Sequence, residues 1–246
     1  AASLDGRVDT FNGSVRLTAT PLDGLRVNAS YARDVRDNRT AIGAYPALAT
    51  DMFLGATPRS NEPYDITQDR FKLNADYRGP ASLRTSVGIE QDNRQRNYQE
   101  VVTTRETTLW GRVSAQPLEN LSLTAKLAHA DRSNSTYGVS TWIDSPQNPL
   151  LRKFNLADRL RDSAGLRADY TVNEQVSLGL ALDPANDAYG QSAIGLTDGR
   201  SVNIGADMAV AFSEQTSLHL FAQGERIRSR QAGSQVHRSR CLADST

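Results

Sequence analysis

Residues 164–183 read Ala-Gly-Leu-Arg-Ala-Asp-Tyr-Thr-Val-Asn-Glu-Gln-Val-Ser-Leu-Gly-Leu-Ala-Leu-Asp. Leu166, Ala168 and Tyr170, then Val176, Leu178, Leu180 and Leu182, fall on one face. Arg167, Asp169, Ser177, Gly179 and Asp183 fall on the other. A period of two marks strands, because successive side chains leave a pleated backbone on opposite sides. The polar break from Thr171 to Gln175 is short enough to be only a tight reversal, so the two arms pair antiparallel.

The same unit recurs on both sides of this hairpin. Val15, Leu17 and Ala19 alternate with polar residues up to Pro21-Leu22-Asp23-Gly24, and Leu25, Val27, Ala29 and Tyr31 answer them. Phe71, Leu73, Ala75 and Tyr77 turn at Gly79-Pro80-Ala81-Ser82 into Leu83, Thr85, Val87 and Ile89. Thr107, Leu109, Gly111 and Val113 turn at 116–120 into Leu121, Leu123, Ala125 and Leu127. Val202, Ile204, Ala206 and Met208 turn at 213–215 into Leu218, Leu220 and Ala222. Between these hairpins lie polar segments read as loops at 34–69, 92–104, 131–161 and 184–200, the third carrying Trp142. Strand, short turn, strand, long loop therefore repeats five times and gives about ten strands.

The apolar face carries no charge at any of these positions, in a chain whose charged fraction is 23%. The opposite face holds Arg16, Arg26, Asn28, Lys72, Asn74, Asp76, Arg84, Glu90, Arg112, Lys126, Arg167, Asp169, Asn203, Asp207, His219 and Gln223. A soluble β-sandwich also alternates in this way. Two features favour a barrel in lipid: the connections alternate short and long throughout, and aromatic rings stand at both ends of the apolar band. Those rings are Tyr77 and Tyr170 beside short turns and Tyr31 near the other end of its strand. The predicted fold is an all-β, antiparallel up-and-down transmembrane β-barrel, and the predicted location is the bacterial outer membrane. The lumen is then the polar face, and its mixed charge signs argue against a strongly ion-selective pore.

Composition narrows the remaining classes. Lys plus Arg and Asp plus Glu are 28 each, and the calculated pI is about 7.1, which argues against a nucleic-acid binder. Apolar content of 38% and a mean hydropathy of −0.51 suit strands with one polar face. No apolar run approaches the roughly 18 residues of a spanning helix. The single Cys241 excludes an internal disulfide, and there is no Cys-x-x-Cys for a metal or a haem attachment. The opening Ala1-Ala2-Ser3 lacks an initiator methionine or a signal pattern, so an internal piece of a longer chain is expected. Such a piece would have bare edge strands and should not insert alone.

Residues 148–159, Asn-Pro-Leu-Leu-Arg-Lys-Phe-Asn-Leu-Ala-Asp-Arg, followed by Asp162-Ser163 and Leu166–Tyr170, resemble the decahaem-associated outer-membrane barrels of the MtrB/PioB type. Ile194–Ser201 and Glu225–Gln235 extend the resemblance in the same order. It covers residues 10–235, and the barrel segment is assigned to 1–235. Residues 236–246 lose both the alternation and the resemblance and read as a tail without function.

The resemblance implies a large porin-like barrel of some two dozen strands, of which ten would be part of the wall. It implies a lumen that ensheathes a periplasmic decahaem c-type cytochrome, so that electrons pass across the outer membrane between the periplasm and an extracellular multihaem cytochrome or mineral. The haem c would belong to that partner, and the barrel would bind no cofactor or metal and catalyse nothing. A diffusion porin is the second reading, and an outer-membrane hydrolase the third. The hydrolase would need a histidine at the outer rim beside carboxylates, which only His129 with Asp131 approaches. His219 as an axial haem ligand, and Ca²⁺ at Asp183, Asn186 and Asp187 or at Asp131 and Asn134, are weaker than a polar wall residue and turn-forming side chains.

Overall fold

The computed structural model describes residues 4–46, 48–50, 53–54, 58–80, 82–138, 148 and 150–233. Trp142, Cys241 and the tail 236–246 lie outside the described residues. The described residues form ten long strands: β1 (Val8–Leu22), β2 (Leu25–Asn38), β3 (Ile66–Arg78), β4 (Arg84–Arg96), β5 (Thr103–Leu118), β6 (Leu121–Asn134), β7 (Arg159–Asn173), β8 (Val176–Ala188), β9 (Ile194–Ser213) and β10 (Thr216–Ala232). Each pairs antiparallel with its neighbours in sequence, giving one meander from β1 to β10. β1 and β10 are its edges and do not pair with each other. Short ladders join Ala44–Tyr45 to Arg59–Ser60 and Leu48–Thr50 to Phe53–Leu54 within the first long connection.

Four of the five short connections are two-residue turns, at 23–24, 119–120, 174–175 and 214–215. At the first, Gly24 has φ +75°, and a Cβ there would stand 2.7 Å from the Arg78 carbonyl oxygen, so a bare backbone is needed. Pro21 and Pro117 sit beside register shifts near those turns, where a missing N–H costs no regular ladder bond. Pro184 lies within a central strand, and the β7–β8 ladder skips from Ser163–Ala185 to Leu166–Leu182 around it.

The strands exceed their predicted lengths, by a residue or a few at the short turns and by much more on the long-connection side. β2 continues to Asn38, β4 to Arg96, β6 to Asn134 and β8 to Ala188, while β3, β5, β7 and β9 begin at Ile66, Thr103, Arg159 and Ile194. The predicted loops at 34–69, 92–104, 131–161 and 184–200 are shortened accordingly. Alternation records one apolar and one aqueous environment. Where a strand continues into water on both faces, it leaves no period to read.

The ladder rows are inclined to the rim. Leu25, the first residue of β2, is level with Tyr77, Thr85, Val113, Ala125, Leu166, Leu182, Ile204 and Gly224 in turn. Leu182 lies six residues inside the start of β8, six strands away, and Gly224 lies eight inside the start of β10, eight strands away. A stagger of one residue per strand, about 3.3 Å along for about 4.8 Å across, corresponds to a tilt of about 35°. That is the tilt of transmembrane barrels. On β7 the uncharged band from Ala164 to Val172 then rises about 22 Å along the barrel axis, near the roughly 25 Å apolar band of such proteins.

The apolar face is uncovered. Leu17 is 68% exposed, Leu127 67%, Leu180 61% and Ile204 57%. The buried apolar residues described, Val101, Ala130, Leu156, Ala157, Ala185 and Tyr189, all lie at the long-connection end. A sandwich would bury the Leu and Ile face in a core, at about 1.5–3 kcal/mol per large side chain. Here the solvent itself must be apolar. Leu180→Arg in the middle of that face is expected to destabilise the membrane-inserted protein by about 2–4 kcal/mol in urea unfolding from vesicles. Gly205→Arg, at the same depth on the other face, should cost well under half of that, because its head stays in water. Equal costs would refute the assignment of faces.

Candidate functional site

The candidate site is the polar face. The ladder register carries one row from Arg26 through Asp76, Ser86 and Arg112 to Lys126, and another from Arg16 through Ser30 and Lys72 to Glu90. Directly opposed residues share a face, so these rows, with Asn28, Asn74, Arg84, Arg167, Asp169, Asn203, Asp207, His219 and Gln223, occupy one side of the sheet. Tyr31, Tyr77 and Tyr170 stand on the other. Tyr31 marks the long-connection border: its Oη donates to Asp69 Oδ1 at 2.5 Å, and Arg33 Nη1 reaches the same oxygen at 3.2 Å. Phe71, opposite Tyr31, is exposed on the same side, as are Phe11 and Phe212, which the alternation did not single out.

Much of the polar face is internally paired. Asp76 accepts from Asn28 Nδ2 at 3.1 Å, Asn74 Nδ2 at 2.8 Å and Ser86 Oγ at 2.6 Å. Lys72 meets Glu90 at 2.7 Å. Arg167 bridges Asp169 at 2.7 Å and Asp207 at 3.1 Å. Gln223 donates to Asn203 at 3.0 Å. The Trp110 indole lies over Gly88, where a Cβ would come within 2.7 Å of the ring, so the glycine makes room for it.

Several basic side chains are left over: among the described residues Arg16 and Arg26 meet no carboxylate, and one group lies close together. Arg112 and Lys126 are directly opposed across β5 and β6, with Arg84 nearby on β4, and none of the three meets a carboxylate among the described residues. Opposed like charges are unfavourable in a bare sheet. The Asp183 carboxylate leans over Gly165, the ladder partner of Lys126, without closing an ion pair.

At the long-connection rim the polar face is covered by the chain itself. Arg132, directly opposite Glu106 and Arg159, donates from Nε to the Ala157 carbonyl at 3.0 Å and from Nη2 to the Phe154 carbonyl at 2.6 Å. Asp158 Oδ1 accepts from the Asn134 backbone N–H at 2.8 Å and from its Nδ2 at 2.9 Å. Lys153 Nζ pairs with the buried carboxylate of Glu100, and the Arg152 guanidinium lies 4.4 Å from the Tyr137 ring centroid. Leu151–Arg152 adds a short parallel ladder to Ile194–Gly195 at the start of β9. These contacts fold residues 150–158 inward and bury Leu156 to 2% exposure.

The model of the outer membrane beta-barrel porin family MtrB/PioB matches residues 1–241. The chain belongs to the MtrB/PioB family. It is 31% identical over 232 residues to "Outer membrane protein MtrB" of Shewanella baltica (strain OS185), an overlap covering 94% of this chain and 33% of that protein. The chain thus spans one third of the length of the curated relative it matches. Among solved structures it is similar to OmpT of Vibrio cholerae, folded in vitro, with a TM-score of 0.47 at 9% identity, covering 92% of this chain and 88% of that one. The loop L8 deletion mutant of the same OmpT gives a TM-score of 0.46 at 10% identity, covering 91% of this chain and 94% of that one.

As an MtrB/PioB barrel of the outer membrane, the protein turns its apolar face to lipid. The structure relocates two side-chain readings made from sequence. His129 does not join Asp131: its Nδ1 lies 2.7 Å from Asp162 Oδ1, its direct ladder partner, on the lipid-facing side. Asp183, Asn186, Asp187, Asp131 and Asn134 are strand residues rather than loop residues, and Asp187 instead faces Arg159 and Arg161 at 3.7 Å. The rim residues Arg132, Glu106, Arg159 and Glu100 were missed because their stretches have polar side chains on both faces. The one signal pointing to them was the family resemblance of 148–159.

Arg132→Met removes two charge-assisted hydrogen bonds, each worth about 1.5–3 kcal/mol. Trypsin should then cut after Arg152 or Lys153 of the full-length protein in isolated membranes about tenfold faster or more. An unchanged cleavage rate would show that Arg132 does not hold the segment.

Proposed function

We propose that the protein is a porin-like sheath whose lumen holds a periplasmic multihaem c-type cytochrome, so that electrons cross the outer membrane. The observation carrying this reading is the basic group Arg84, Arg112 and Lys126, two of them directly opposed and none ion-paired among the described residues. A wall that only conducts water needs no fixed counter-charge, whereas haem propionates and acidic side chains of a seated partner would supply carboxylates to it. Family membership and the similarity to a protein named MtrB support the same reading. The haem c belongs to the cytochrome in this proposal, and an extracellular multihaem cytochrome or mineral is the far terminus. The barrel itself binds no cofactor or metal and catalyses nothing; His219 serves as a wall residue.

The same wall also suits a general or substrate-specific diffusion porin, which is the second reading. The full-length protein, tagged and extracted from the outer membrane in mild detergent, distinguishes the two by the absorbance of what co-purifies. A c-type haem spectrum at several haems per barrel is expected. A colourless barrel that conducts ions in planar bilayers would overturn the sheath and leave the porin. Arg112→Glu with Lys126→Glu should cut haem recovery about tenfold or more, with folding checked by heat-modifiable migration.

A further inference from the structure

On the long-connection side the apolar face ends in a polar row. His129, Asp162, Asn186, Arg200 and Arg228 are each the direct ladder partner of the next. His129 and Asp162 satisfy each other, and the other end of the row does not. Arg200 and Arg228 stand directly opposed on β9 and β10, with Arg226 and Arg230 on the same face of β10. All four are exposed, and among the described residues none meets a carboxylate; Asp198, opposite Arg230, makes no ion pair with it. Two like charges in direct opposition repel unless an anion lies between them. A pair of guanidinium forks presents donors in the geometry that phosphate oxygens accept.

A second feature adjoins this row. An open trough of about 880 Å³ crosses the apolar face, lined by Leu73, Ile89, Leu109 and Leu127 with smaller residues such as Ala75 and Ala164, and reaching Pro184 and Asn186 on β8. Asn186 is the ladder partner of Arg200, so the arginines begin one strand from the trough's polar edge. In a wall that faces lipid, an apolar trough takes hydrocarbon. Long connections lie at the outer surface in barrels of this kind, which sets the arginines at the headgroup level of the outer leaflet.

We propose that this border binds lipopolysaccharide, with a phosphate of its glycolipid anchor between Arg200 and Arg228 and an acyl chain in the trough. The directly opposed Arg200–Arg228 pair calls for an anion with more than one negative charge, and the multiply phosphorylated, multiply acylated glycolipid matches both the charge and the hydrocarbon. This does not depend on what fills the lumen, because it uses the opposite face.

The test is the lipid A recovered per mole of full-length protein purified in mild detergent, measured by mass spectrometry. R200Q with R228Q should retain at least fivefold less lipid A than wild type, with heat-modifiable migration unchanged. R200K with R228K, which keeps the charge and loses the forks, should retain more than the glutamine pair and less than wild type. Delipidated wild-type protein should take up lipid A in preference to dephosphorylated lipid A and to phosphatidylglycerol. Equal lipid A in wild type and the glutamine pair would overturn the proposal, as would uptake of phosphatidylglycerol to the same extent as lipid A.

Discussion

Everything in this structure depends on an apolar face that the protein does not cover. Leu, Val and Ile side chains along nine of the ten strands stand exposed, and a sheet of this size in water would collapse on them or aggregate through them. In hydrocarbon the same face is at rest, and the constraint passes to the backbone. Every N–H and C=O at that depth must find a partner within the sheet. The uninterrupted meander, the two-residue turns and the placing of Pro21 and Pro117 at register shifts are consequences of that demand. The absence of charge on one face and its abundance on the other follow from the same boundary.

The rim obeys different physics. Beyond the lipid both faces of the strands are wet, and order there comes from specific polar contacts instead of solvent partition. Arg132 satisfies two carbonyls of an inward-folded segment, Asp158 caps the end of β6, and Lys153 neutralises a buried glutamate. The three stretches that resemble the MtrB/PioB family, around 148–159, 194–201 and 225–235, are far apart in sequence and adjoin at this place. Leu151 pairs with Ile194, and Asp198 with Arg230. The wall could belong to many barrels; the rim is what makes the segment particular.

This division explains what could be read in advance. Each hairpin, its facing and its order were legible because a two-solvent boundary writes a period of two into the sequence. Phe71, Ile89, Leu127 and Val202 mark where that boundary ends, and beyond them the strands run on unseen. The partner of His129 was invisible, since it depends on the β6–β7 register and not on nearness in sequence. The opposed pairs Arg112–Lys126 and Arg200–Arg228 were invisible for the same reason. Individually they were polar residues on known faces, and only the ladder brings two like charges together.

The one-residue stagger sets the width of whatever such a wall encloses. At a tilt of about 35° each strand contributes about 6 Å of circumference, so a hairpin changes the diameter by about 4 Å. A family built from this hairpin can therefore size its lumen only in coarse increments, since a single strand would reverse the chain's direction and misplace the next loop. Fitting finer than that falls to side chains on the inner wall and to segments folded in from the rim. Divergence in bore should appear as whole hairpins gained or lost, and divergence in fit as substitutions at positions such as 150–158.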